Sequence, residues 1–132
     1  MDDLIAFLRA RLDEREQIAR AAEPGPWRVL EDSSGSVAVG PEDFGIASDH
    51  TGQNRASYVH IAANDPARVL AEVDAKRRII ELHSTSDTST FEGRTATITW
   101  CPICRNDGEC PTLRLLALPY ADHPDYRGRW RP

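Results

Sequence analysis

No apolar stretch of this chain approaches the roughly 20 residues that a helix needs to span a bilayer. The longest uncharged one near the C-terminal end runs only from Leu115 to Tyr120. A basic leader is missing too. The N-terminus carries Asp2 and Asp3, and Arg9 and Arg11 interrupt its apolar positions, so neither an export signal nor membrane contact is expected, and a cytoplasmic protein is. Lysine is almost absent: Lys76 is the sole one among 16 basic residues, a bias of the kind a GC-rich genome imposes. Positive charge is in deficit, with a net charge of −5, which removes any global attraction to phosphate backbones and argues against a nucleic-acid binder. Cysteine is scarce as well. Three thiols cannot all pair with one another, and in a reducing compartment they stay free for metal or redox work. The chain has no Ser-His-Asp order, no Gly-rich phosphate loop, no paired-carboxylate motif and no internal repeat, so no catalytic residue is assigned.

What is present is ordinary globular material. With 132 residues, 40% hydrophobic and 28% charged, the chain fits one domain (residues 1–132) around a modest core. A first helix is expected over residues 1–22, where Ile5, Leu8, Leu12 and Ala19 make a helical stripe that Pro24-Gly25-Pro26 terminates. Trp27 follows, and is expected in the core. Residues 27–48 hold short apolar runs, the last of them Phe44-Gly45-Ile46-Ala47, separated by Ser33-Ser34-Gly35 and Gly40-Pro41, the pattern of an antiparallel β-meander. Asp49 to Ser57 reads as a polar loop. A second helical region spans residues 58–83, with a short turn of helix at Val59 to Ala63. Its main helix opens at Asn64 or Asp65 as cap, with Pro66 at the first helical position. Ser84 to Thr90, all Ser, Thr and Asp, is expected to be a flexible connection. Residues 94–121 should hold a strand ending at Trp100, the cysteines, and a third helix opening at Cys110-Pro111-Thr112. Residues 122–132 form an irregular tail. The fold class is α+β: three helices, a small antiparallel meander and a segment resembling a zinc knuckle.

That segment, WCPICRNDGECP, places Cys101, Cys104 and Cys110 within ten positions. A two-residue gap lets two sulfurs of a tight turn point at one centre, and Gly108 permits the turn that returns Cys110 to them. Cys110 opens a helix, whose free amides favour the thiolate a metal requires. The competing reading is a redox dithiol, since Cys-Pro-Ile-Cys looks superficially like the dithiol of glutaredoxin-type enzymes. There a helix starts inside the motif, whereas here Arg105-Asn106-Asp107-Gly108 is a turn. Structural Zn2+ is therefore the expected cofactor. His83, 18 residues before Cys101, is the first choice as fourth ligand, the plain alternative being a histidine that merely ends a helix. His123 would be held roughly 15–20 Å away by an intervening helix. His60 requires a fold-back, and His50 lies in a polar loop. Without His83, Asp107, Glu109 or water would complete the shell, and an open position would admit catalysis.

Asp122, His123 and Asp125 cluster after the third helix, where a helix stop with Asp and His as caps explains them. The tail mixes Arg127, Arg129 and Arg131 with Tyr126 and Trp130, as nucleic-acid-contacting segments do. Four arginines against two aspartates over residues 111–132 leave only a small local excess. The favoured reading is a tail that packs Trp130 onto its own domain, with these arginines and Trp130 as a possible partner surface.

Several segments together resemble a family of uncharacterised actinobacterial and actinophage proteins sharing a domain of unknown function. They are Asp3 to Leu12, Pro24-Gly-Pro-Trp27, His60-Ile-Ala with Asp65 to Val73, Lys76-Arg-Arg78, Leu82-His83, the cysteines, and Cys110 to Arg114 with Tyr120 to Tyr126. The Pro-Gly-Pro-Trp element before an Ile-Ala…Pro…Val-Leu helix is similar, more weakly, to Ead-type accessory proteins of phages. The resemblance implies an origin and supplies no catalytic residue or substrate. The expected role is a non-enzymatic protein-binding or regulatory protein with a host or phage protein as partner, its oligomeric state left open. The rivals are a metal-dependent enzyme with an open zinc position and a small nucleic-acid binder.

Overall fold

The computed structural model describes residues 1–41, 45–105 and 109–132. Phe44 of the meander and Asn106, Asp107 and Gly108 of the knuckle turn lie outside them. The fold is α+β. In chain order its elements are α1 (Asp2–Ala21), β1 (Arg28–Glu31), β2 (Val37–Gly40), β3 (Ala47–Asp49), α2 (Arg55–Ala63), α3 (Pro66–Leu82), β4 (Thr85–Phe91), β5 (Arg94–Trp100) and α4 (Pro111–Ala117), with short 3-10 turns at Leu118–Tyr120 and Gly128–Trp130. Among the described residues no helix is long and apolar enough to cross a membrane. The chain divides into two compact units, Met1–Asp13 with Asp74–Pro132, and Glu14–Val73.

In the unit of Glu14–Val73, β1, β2 and β3 form the antiparallel meander, with Val29 opposite Val39 and Val39 opposite Ala47. Val37 and Val39 alternate onto the buried face of the central strand, as a period of two requires. The β1–β2 turn is built by Asp32, whose Oδ1 accepts from the Ser34 amide at 2.8 Å and the Ser36 amide at 3.1 Å. Helix α2 starts at Arg55, inside the segment read as loop. Asp49 gathers the Thr51 amide at 2.9 Å and the Asn54 amide at 3.0 Å, which closes the loop early and frees Arg55-Ala-Ser-Tyr for helix. Asp65 caps α3, its Oδ1 accepting from the Arg68 amide at 2.8 Å. Together α2 and α3 replace the single second helical region, giving four helices among the described residues instead of three.

Asp65 also explains the Pro-Gly-Pro-Trp corner. Its Oδ2 accepts from the Trp27 amide at 2.8 Å, and the residue is 5% exposed. A Cβ on Gly25 would stand 2.3 Å from that oxygen, so only glycine lets the chain pass. Trp27 itself corrects the core expectation. It is half-buried, its indole N–H donates to the Glu23 carbonyl at 3.0 Å, and it lines an open cleft of about 260 Å³ with Ile18, Ala19, Ala22, Pro66 and Val69. The backbone bond to Asp65 fixes the corner, so the ring need not enter the core.

In the other unit Leu4, Leu8 and Leu12 are fully buried along α1, as are Ile80, Leu113 and Trp130. Phe7 meets Tyr120, His123, Tyr126 and Trp130 at ring-centroid distances of 6.3, 5.7, 6.0 and 5.0 Å, which draws the C-terminal tail onto the first helix. The expected flexible connection at Ser84 to Thr90 is instead strand β4, paired with β5 from Thr85↔Trp100 to Phe91↔Arg94. Two local features make it so. Glu92 and Gly93 form a two-residue turn with φ of 50° and 75°, the positive values whose twist suits a hairpin. Hydroxyls then pair across the strands, Ser86 with Thr99 at 3.0 Å, Thr88 with Thr97 at 3.0 Å and Thr90 with Thr95 at 3.2 Å.

Candidate metal centre

Three elements of this unit end at one point. Helix α3 stops at Leu82, so His83 leaves its last turn, with its amide donating to the Ile79 and Ile80 carbonyls at 3.1 and 3.2 Å. The Ser84 hydroxyl satisfies the Ile80 carbonyl as well, at 2.7 Å, holding the helix end that aims the imidazole. Strand β5 delivers Cys101. The chain then turns, the Arg105 amide donating to the Cys101 carbonyl at 3.3 Å and Arg105 adopting a φ of 49°. Within the turn the Cys104 amide points at the Cys101 sulfur, 3.2 Å away. Cys110 arrives at the N-terminal boundary of α4 with Pro111 behind it, a residue that fits there because it has no amide to leave unpaired.

The four side chains converge. His83 Nδ1 lies 3.3 Å from the Cys101 sulfur, 3.5 Å from that of Cys104 and 3.4 Å from that of Cys110, and the Cys104 and Cys110 sulfurs are 3.4 Å apart. All four donor atoms fall within 4.8 Å of one another. For bond lengths of about 2.0–2.3 Å, a tetrahedron of nitrogen and sulfur has edges of roughly 3.5–3.8 Å, close to these separations. Three cysteines and a histidine so placed could hold a metal ion. Cys101 and Cys110 are buried, while Cys104 and His83 are partly exposed, so the cluster is shielded on one side only.

The thiols are unequal. Burial pushes Cys110 up to about 11, against the amides of Leu113 and Thr112 that would favour its thiolate. The Cys110 thiol, hydrogen-bonded to Cys104, holds Cys104 below the ordinary thiol value, and Cys101 and Thr112 add to that. The Thr112 hydroxyl, 3.8 Å from the Cys104 sulfur, is a contact that no spacing rule would have found, because its place as the second residue of α4 matters only once Cys110 is seated.

The chain belongs to a family of unknown function (DUF6221). The match covers residues 1–132, the knuckle segment and the Pro-Gly-Pro-Trp corner included. No curated protein and no solved structure matches the chain.

The remaining candidates lie elsewhere. His50 and His60 are exposed. His123 Nδ1 takes the Asp125 amide at 3.1 Å, the turn-capping role expected of it, and the buried Arg11 guanidinium contacts the same ring, nearest to Nε2. Glu109 is no member of the cluster; it accepts from the Trp130 indole N–H at 3.2 Å. Trp130 is 1% exposed, so of the two readings of the tail its ring is the one packed onto its own unit, enclosed by Phe7 and Tyr126. Arg127 and Arg129 both bind the Asp3 carboxylate, and Arg131 is exposed.

Proposed function

We propose that this chain is a small non-catalytic protein, acting in the cytoplasm of an actinobacterium or its phage or prophage, in which Cys101, Cys104, Cys110 and His83 hold a structural zinc ion and the stabilised surface engages a protein partner. The observation that carries it is the donor set: three sulfurs and one imidazole nitrogen within 4.8 Å. Soft thiolates with imidazole suit zinc, whereas magnesium and calcium take oxygen donors. Four protein donors complete a tetrahedron and leave no position for a nucleophilic water, which favours structure over catalysis. A site joining a helix end, a strand end and a helix start makes metal affinity part of folding free energy. The ion pairs of Arg127 and Arg129 with Asp3 weigh against a nucleic-acid role for the tail. The resemblance to actinobacterial and actinophage proteins supports the origin.

The test is elemental analysis of protein purified under reducing conditions, with cobalt substitution to read ligand number and type. One zinc per chain and a tetrahedral thiolate-imidazole cobalt spectrum are expected. Zinc-free protein carrying a Cys101–Cys104 disulfide would overturn the reading, and a metal-bound water would return the enzyme alternative.

A further inference from the structure

The β4–β5 hairpin stands out from its unit. Every side chain from Ser86 to Ile98 is exposed, with Phe91 at 76%, Ile98 at 66% and Trp100 at 42%. An isolated two-stranded hairpin is marginal in water, and free strand edges are normally blunted by lysine, proline or a bulge. Strand β5, Arg-Thr-Ala-Thr-Ile-Thr-Trp, has none of these, and its register is unbroken over all seven residues.

The register also says which backbone groups are unused. A two-residue turn makes Phe91 and Arg94 a hydrogen-bonded pair, and such pairs alternate along an antiparallel ladder. Arg94, Ala96, Ile98 and Trp100 therefore direct their amides and carbonyls to β4. Thr95, Thr97 and Thr99 direct theirs outward. We infer that the outer edge of β5 pairs with the β5 edge of a second copy of this chain, antiparallel about a two-fold axis through Thr97.

The charges select this edge and this occupant. With Thr97 opposite itself, Thr95 meets Thr99, Ala96 meets Ile98, and the Arg94 of each copy lies opposite the Trp100 of the other, with its own Phe91 on the far side. Each guanidinium then sits between two aromatic rings, an attractive arrangement. Trp100 is already held on that face, its indole N–H donating to Asp87 at 3.0 Å. Like charges are nowhere opposed. The same operation on β4 about Thr88 would place the Asp87 carboxylates of the two copies diagonally on one face, which is repulsive. An isologous strand pair of this kind closes on itself as a dimer.

The full-length zinc-loaded protein is examined by sedimentation over about 1–500 µM, because one strand pair is a small interface whose dissociation falls in such a range. A monomer–dimer equilibrium is expected. Thr97→Lys, which opposes two ammonium groups at the axis, should weaken it by more than about tenfold. Mixing Thr97→Lys with Thr97→Glu should restore it, and Thr88→Lys on the other edge should leave it unchanged. Zinc content and circular dichroism verify that each variant is folded. Amide exchange of wild-type protein gives an independent readout: Thr95, Thr97 and Thr99 should slow with rising concentration, and Ser86, Thr88 and Thr90 should not. A wild-type monomer throughout, a Thr97→Lys dimer as strong as wild type, loss of the dimer in Thr88→Lys, or exchange independent of concentration would overturn the inference. A different protein strand seated on β5 in place of the second copy would overturn it equally.

Discussion

At His83 one imidazole nitrogen separates two kinds of metal site. With Nδ1 in place the centre has four protein donors; without it, three thiolates and an open position remain. His83→Ala should therefore weaken zinc binding by more than about tenfold, with the thiolates still binding, as chelator competition under reducing conditions would measure. Unchanged affinity would remove His83 from the site. Asp65 is the second residue with an outsized role, because one carboxylate both caps α3 and holds the Trp27 amide. Asp65→Ala should cost about 2–4 kcal/mol in denaturant titration, the sum of a lost cap and a stranded amide. Trp27→Ala should cost less than the removal of a core aromatic, about 1–3 kcal/mol, since the ring is only half-buried. A loss above that range would place the ring in the core after all. Asp49 offers a test by pH. The Thr51 amide and hydroxyl hold its carboxyl from 3.8 down to about 2, so its contribution to stability is present above the unfolded value and is lost as pH falls through the folded one. Carboxyl NMR should show a titration midpoint near that lowered value, and an ordinary midpoint would mean that the Asp49 loop is open in solution.

The hairpin shows how an element can persist with little burial. Its three hydroxyl pairs and the Glu92-Gly93 turn supply local order, and its base is anchored where Trp100 passes into Cys101. Gly93 sits at a φ of 75° with open space around its Cα, so a side chain there meets backbone strain and no clash. Gly93→Val should fray β4 and β5, raising their amide exchange by more than about fivefold while zinc content stays constant. Equal exchange in variant and wild type would show that the strands do not depend on this turn. Helix α4 is the complementary case. Leu113 and Ala117 are buried one turn apart, but Leu115 is exposed at 58%, as is Leu118 just beyond the helix at 42%, so seven residues of helix gain little from packing and rely on Cys110 at their start.

For the molecule as a whole, the Cys-His cluster, once it holds a metal, and the tail would provide two closures of the same unit. Zinc at the cluster would join the end of α3 to β5 and α4, while the tail returns Trp130 to Phe7 and ion-pairs Arg127 and Arg129 with Asp3. Chelation under reducing conditions should lower the melting temperature by more than about 10 °C, because metal affinity enters the folding free energy directly. Residues 84–118 should lose exchange protection before the amides of α1 do. An unchanged melting curve would show that the unit holds without metal.

The sequence by itself determined whatever depends on neighbours along the chain. Apolar spacing marked α1, Pro24-Gly25-Pro26 ended it, Ser-Gly and Gly-Pro separators marked the meander, and Pro66 and Pro111 marked the starts of α3 and α4. The Cys101–Cys104 turn was legible for the same reason, since a two-residue gap lets two sulfurs of a tight turn point at one centre. Ser84 to Thr90 was not, because serine and threonine serve loop and strand alike, and only pairing with Thr95, Thr97 and Thr99 decided for strand. Trp27 was expected in the core and Trp130 stood between partner surface and packed tail, yet Trp27 lines an open cleft and Trp130 is 1% exposed, a difference set by which surfaces fold against each ring. His83 is the clearest case. Its spacing permitted both a ligand and a helix-end histidine. Only tertiary structure brought it within 3.3–3.5 Å of three sulfurs, because the angle at which the end of α3 meets β5 is fixed by packing and not by any local run of residues.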